Sequence, residues 1–242
     1  MKHSHTSLVF CLLLSAGCLT ACDEGPIYDT LHGVETESRS AVFSGVVTGA
    51  DRWAEGYDLV LAAFSDDSEY ALVQKPVVPS ADGSVSLTLG GIPADAATVE
   101  FCVTDRLRRR IVTFESADIP ALASADTLHL ALVAPMNVGM FAAIQRCVFD
   151  GTAYNCSLCH GSESPRAGLD LSAGHSYADL VGTPSTRVDG AQRVVPGVAA
   201  ASVLHSALAE GNPAGLRYDH SPLVPPTLRR LIDDWIDAGA KE

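Results

Sequence analysis

Positive charge is scarce in this chain: 16 lysines and arginines stand against 29 aspartates and glutamates, a formal net charge of −13 over 242 residues. A nucleic-acid binder needs a basic footprint and a protein held on anionic lipid by charge needs a polybasic segment, so the balance argues against both. Methionine is scarcer still. Met136 and Met140 are the last of three, so no thioether is available to any site built after residue 140. Long hydrophobic runs are missing as well. The apolar stretch Leu8-Val9-Phe10-Cys11-Leu12-Leu13-Leu14 falls well short of the roughly 20 residues that a membrane-spanning helix requires. Cys156 and Cys159 form the only C-x-x-C, and no H-x-x-x-H follows it. A zinc site would want a second ligand pair at similar spacing.

What is present is Cys156-Ser157-Leu158-Cys159-His160, the C-x-x-C-H pattern of covalent c-type haem attachment. Thiols three residues apart can reach the two vinyl groups of one haem. The histidine that follows at once can bring its imidazole beneath the iron as proximal ligand. A redox-active C-x-x-C would want the motif after a hydrophobic strand in a βαβ unit. Here Asp150-Gly151-Thr152-Ala153-Tyr154-Asn155 precedes it and reads as a turn. An empty or disulfide-bonded C-x-x-C is the alternative reading.

The N-terminus reads as a secretory signal: Lys2 and His3, then the apolar run, then Leu19-Thr20-Ala21-Cys22, which resembles a bacterial lipobox. The expectation is a signal peptide over 1–21, a lipidated Cys22 carrying acyl chains such as palmitate, and a polar tether over 22–39. Acyl chains would anchor the protein on a membrane without a spanning helix; an ordinary signal peptide is the plainer reading. Asp23 and Glu24 leave open the periplasmic face of the inner membrane, the outer membrane or the cell surface. Removing 1–21 removes Lys2 and no acid, so the mature charge is 15 − 29 = −14. An oxidising compartment favours a disulfide between Cys102 and Cys147, with two buried free thiols as the equal alternative.

Between residues 40 and 134 the pattern is that of strands. Val85, Leu87 and Leu89 alternate with Ser84, Ser86 and Thr88 after an Asp82-Gly83 turn, and Val99, Phe101 and Val103 repeat the alternation. Seven short strands bounded by Gly, Pro and Asp predict an immunoglobulin-like β-sandwich. The run Arg106, Arg108, Arg109 and Arg110 reads as a solvated turn, with contact to haem propionates or a partner as the sharper alternative. From Pro135 the period becomes helical. Phe141, Ile144 and Val148 suggest a short helix, 199–209 an Ala-rich one, and Leu228, Leu231, Ile232 and Trp235 a final amphipathic one with Gly239 as its cap.

Residues 138–242 resemble a compact mono-haem cytochrome c domain of bacterial envelope lipoproteins. The resemblance rests on Cys156 to Gly161, Ala167-Gly168-Leu169-Asp170-Leu171, Tyr177 to Leu180, Val194-Val195-Pro196-Gly197 and Leu231 to Gly239. It implies a mixed fold of two domains, a β-sandwich followed by a small all-α cytochrome c fold. Phe141, Ile144, Leu231 and Trp235 would form the helix crossing. It also implies one covalent haem c on Cys156 and Cys159, and His160 as iron ligand. The family's methionine ligand from the loop before the last helix is absent. The nitrogen donors in that region are His175, His205 and His220, and His220 stands where the methionine would. Arg166, Arg187, Arg193 and Arg217 could meet the propionates. The implied function is a membrane-anchored electron carrier, not an enzyme, with an unidentified redox partner protein. An open sixth position would instead make a small-ligand binder or weak peroxidase. A surface-exposed binding lipoprotein without haem is the third possibility.

Overall fold

A computed structural model describes residues 39–120 and 127–242. The expected signal peptide, the lipidated Cys22 and the tether up to residue 38 lie outside the described residues. The strands are β1 Arg39–Thr48, β2 Tyr57–Phe64, β3 Val73–Pro76, β4 Ser84–Ile92, β5 Thr98–Asp105, β6 Arg110–Asp118, β7 Thr127–Ala131 and β8 Met136–Asn137. Alternation sets their faces. In β1, Ala41, Phe43 and Val47 are buried while Val46 and Thr48 are exposed. One sheet has the order β4-β1-β7, with β8 also on β1; the other runs β3-β2-β5-β6. The two sheets face one another, and Phe43 of β1 stacks on Phe101 of β5 with centroids 4.3 Å apart.

The pairings of β1 with β7 and with β8 are parallel, a departure from the all-antiparallel sheets expected of an immunoglobulin-like sandwich. β7 lies beside Ser40–Ser44 and β8 beside Val47–Thr48. Leu132 N–H donates to the Ser44 carbonyl at 2.9 Å and Val138 N–H to that of Thr48 at 2.9 Å. The segment 127–138 is therefore one interrupted strand that delivers the chain to the helical region.

The expected fold class is corrected here. Sheet is the main regular structure of the described residues, and no all-α cytochrome c domain follows the strands. Four short α-helices are present among the described residues: α1 Met140–Ile144, which continues as a π-helical turn over Gln145–Phe149, α2 Ser176–Leu180, α3 Val203–Leu208 and α4 Pro226–Asp237. Only α4 is longer than two turns. The reason is local. Between residues 150 and 225 the chain is broken by prolines and by glycines at positive φ, among them Gly174, Gly182, Gly190, Gly197, Gly211 and Gly215. The Ala-rich segment 199–209 is split for a different reason. Ser202 is extended (φ −91°, ψ 135°) because its buried hydroxyl bonds the backbone instead. It donates to the Val198 carbonyl at 3.1 Å and accepts from Val195 N–H at 2.9 Å.

α1 and α4 do meet. The Phe141 ring lies 5.0 Å from Trp235 and 5.2 Å from Tyr177, and Leu231, Ile232, Trp235 and Ile236 of α4 are all buried. The main hydrophobic core runs from Ala41 through these residues to Ala240, so residue 134 marks a change of secondary structure within one unit. Several side-chain hydrogen bonds cross that line, among them one from Arg146 to the Phe114 carbonyl at 2.9 Å. Trp53 Nε1–H donates to the Val138 carbonyl at 2.7 Å, Tyr57 O–H to the Asp234 carboxylate at 2.7 Å, and Arg52 to the Glu242 carbonyl.

Cys102 and Cys147 are free thiols. Val99, Phe101 and Val103 face the main core, so Cys102 points to the opposite side of β5, among Val60, Ala62, Phe64 and Ala71. Cys147 packs against the main core instead. Burial pushes the thiol of Cys102 up and that of Cys147 to about 12.

Candidate functional site

The motif forms a single tight turn. The Cys156 carbonyl accepts from both Cys159 N–H (3.1 Å) and His160 N–H (3.0 Å), which sets residues i, i+3 and i+4 on one side. Asn155 starts the turn, its side-chain oxygen accepting from Leu158 N–H at 3.2 Å and from the Ser157 hydroxyl at 2.9 Å. Gly161 ends it. A Cβ there would lie 2.6 Å from the Ser157 carbonyl oxygen, so only glycine lets the chain turn away directly after His160. Cys156 is half-buried against the core and Cys159 is exposed. Burial, with Cys159 and Asp150 nearby, raises the Cys156 thiol to about 11. This is the opposite direction to the depressed thiolate pKa on which a redox-active C-x-x-C depends.

The His160 ring is fixed by a backbone carbonyl. Its Nδ1 lies 3.0 Å from the Arg166 oxygen, which can only accept. Nδ1 therefore carries the proton and Nε2 keeps its lone pair for a ligand. Burial holds the imidazole below its usual pKa against the opposing pull of that carbonyl, and His220 adds to the lowering. The lowering favours the neutral ring that a metal ligand requires.

Of the three downstream histidines, only His220 approaches it. The two rings have centroids 6.2 Å apart with planes inclined by 38°. His220 opens a loop stiffened by Pro222, Pro225 and Pro226, and its carbonyl accepts from Leu223 N–H at 3.0 Å. Hydrogen bonds from Ser221 hold the Asp219 carboxyl below its ordinary value and shape the same turn. Tyr218 packs edge-on against the ring at 5.1 Å. His220 Nδ1 is buried and has no hydrogen-bond partner among the described residues. His205 is engaged elsewhere, with Nδ1 2.8 Å from Asp233 Oδ1. His175 is largely exposed, 4.0 Å from Asp170. His129 faces outward on β7.

The arginines divide. Arg106, Arg109 and Arg110 pair with Glu55, Glu69 and Glu100, and Arg108 donates to the Ala71 and Leu72 carbonyls. That run braces the β5–β6 turn. Arg166, Arg187 and Arg217 are exposed, whereas Arg193 is 8% exposed. It donates to the carbonyls of Asp179 (2.8 Å), Gly168 (2.7 Å) and Ala167 (3.4 Å). These carbonyl contacts were not legible in the sequence, since a backbone acceptor leaves no residue signature; the Ala167-Gly168 pair marks the turn but not its partner.

Two imidazoles on opposite sides of one metal ion, each nitrogen about 2 Å from it, have ring centres about 6 Å apart. The His160–His220 pair matches that spacing, and the unpaired nitrogen of His220 is a donor or lone pair in need of a partner. Among the described residues no group of three His, Cys, Asp or Glu side chains could hold a bare metal ion. A tetrapyrrole supplies four ligands of its own and asks the protein for the two axial ones, so the residues fit haem better than a free ion. No protein-family model matches the chain, and no curated protein matches it.

Proposed function

We propose that this protein carries one haem c on Cys156 and Cys159, with His160 and His220 as the two iron ligands, and serves as an electron carrier. The observation that carries the reading is the 6.2 Å separation of the two imidazoles. Attachment needs two thiols and an adjacent histidine on one turn, not a particular fold, so the reading stands without an all-α domain. Bound haem supplies one-electron chemistry between ferric and ferrous iron. The chain's part is to orient His160 through the Arg166 carbonyl and to present His220 from a proline-stiffened loop. A haem held by both His160 and His220 would favour electron exchange over binding of small ligands. An N-terminal lipid on Cys22 would hold the carrier at the bacterial envelope, where a redox protein partner could reach it.

Protein from its native host should stain for haem on a denaturing gel and have an intact mass one haem above that of the processed chain. A low-spin spectrum that carbon monoxide leaves unchanged after reduction is expected. His220→Ala should make the reduced protein bind carbon monoxide. A colourless protein of unmodified mass would sink the proposal and leave the haem-free lipoprotein as the reading. Rapid carbon monoxide binding by the unaltered protein would favour the small-ligand binder. Mass analysis of the N-terminal peptide tests the anchor separately: two or three acyl chains on Cys22 are expected.

A further inference from the structure

We propose that Arg193 is the positioning residue for His160, acting through the backbone turn at Arg166-Ala167-Gly168. The contact that fixes the His160 ring is a carbonyl, and carbonyls are aimed by the backbone that carries them. That backbone is in an unfavourable state. Ala167 sits at φ 58° and Gly168 at φ 59°, two successive left-handed residues, of which the alanine pays a steric cost. Such a conformation persists only where neighbours over-determine it. Here the Thr186 hydroxyl donates to the Ala167 oxygen at 2.7 Å, and Arg193 donates to the Ala167 and Gly168 oxygens while its other nitrogen reaches the Asp179 carbonyl.

Arg193 is well suited to the task. Its planar fork can address carbonyls from two segments at once, which a lysine ammonium on a flexible stem does not do. It is nearly fully buried, and its ionic neighbour Asp179 lies 3.6 Å away. Asp179 also accepts from Asp170 N–H at 2.7 Å. The Leu171 N–H in turn donates to the His160 carbonyl at 2.6 Å, and Arg166 N–H to that of Cys159 at 3.2 Å. The loop 159–171 is thus closed on the motif at both ends, and Arg193 ties its apex to α2. Losing this tie frees the turn to relax, and the Arg166 oxygen moves off the line of the His160 Nδ1–H bond.

The prediction does not depend on haem, although its consequence for the iron rests on the proposed function. In haem-free protein at mildly alkaline pH, the nitrogen-15 shifts of His160 should report one tautomer, with the proton on Nδ1. Arg193→Lys and Arg193→Gln should turn this into a mixture of tautomers. Thr186→Val, an exposed change with little bearing on folding, should give a smaller change in the same direction and decides the matter if the arginine variants do not fold. Arg229→Gln, which removes an arginine-to-carbonyl contact at Leu208, should leave His160 unchanged. A single Nδ1–H tautomer retained in folded Arg193 variants, or in Thr186→Val where those do not fold, overturns the proposal. In haem-loaded protein the same variants should raise the midpoint potential, because an imidazole without its carbonyl partner is a weaker donor to ferric iron. A tautomer change in protein that never acquires haem would support Arg193 and defeat the carrier reading, so the two fail separately.

Discussion

His220 differs from the other downstream histidines in what it lacks: a partner for a buried nitrogen. Such a group costs about 1–3 kcal/mol when left alone, and His205 and His175 avoid the cost by pairing or exposure. On the proposed reading its replacement has a signed outcome. His220→Met should keep the iron six-coordinate and raise the midpoint potential relative to the unaltered protein, because thioether sulfur favours the ferrous state. Potentiometry with visible spectroscopy measures both. Gly161 makes a second residue-scale case, independent of haem. With Ser157 O 2.6 Å from any added Cβ, Gly161→Ala must shift the turn carrying both cysteines. It should cost about 1–3 kcal/mol in urea unfolding of the haem-free chain. An unchanged midpoint would mean that the turn is looser than described. His220 was visible in the sequence as the nitrogen donor in the loop before the last helix. Its approach to His160 was expected only through the resemblance that puts it in the methionine's place, because a long-range pairing leaves no local pattern.

At the scale of elements, what was legible follows from periodicity. The strands were found near where apolar and polar residues alternate, and α4 where Leu228, Leu231, Ile232 and Trp235 recur at helical spacing. The helical domain was not built because periodicity was carried into segments whose glycines and prolines break it. The split at Ser202 shows the limit most clearly, since an alanine-rich run scores as helix whatever its hydroxyl bonds. α4 is the element on which the C-terminal region depends. Trp235 is 1% exposed, packs on Phe141 and donates through Nε1 to the Lys241 carbonyl at 2.8 Å. Trp235→Ala should cost about 3–5 kcal/mol, a large part of the about 5–15 kcal/mol that stabilises an ordinary domain. Trp235→Phe keeps an aromatic face and should cost clearly less. Denaturant unfolding of both variants separates packing from the lost hydrogen bond.

The described residues share one main core with two kinds of secondary structure, and Tyr57 is the residue that makes the consequence measurable. It stands at the start of β2 and donates to Asp234 on α4, so it bonds the sandwich to the helix that closes the C-terminal region. Burial, then the hydrogen bond to Asp234 and that carboxylate's charge, push the Tyr57 pKa well above its ordinary value of 10.0. In the unfolded chain the same phenol ionises near that ordinary value. Below it both states hold the proton and the contribution to stability is complete. Above it the unfolded state releases the proton while the folded state retains it, so stability falls as pH rises. The buried thiols of Cys102 and Cys147 are raised as well and act in the same direction from about pH 9, their ordinary value. The protein should therefore lose stability progressively from about pH 9 upward. Tyr57→Phe should be about 1 kcal/mol less stable near neutral pH for want of one hydrogen bond. Above pH 10 that gap should close and then reverse, because the phenylalanine has no proton to lose. Thermal unfolding of the two proteins across this range is the measurement. Parallel curves that never cross would mean that Tyr57 ionises as freely in the folded protein as in the unfolded chain.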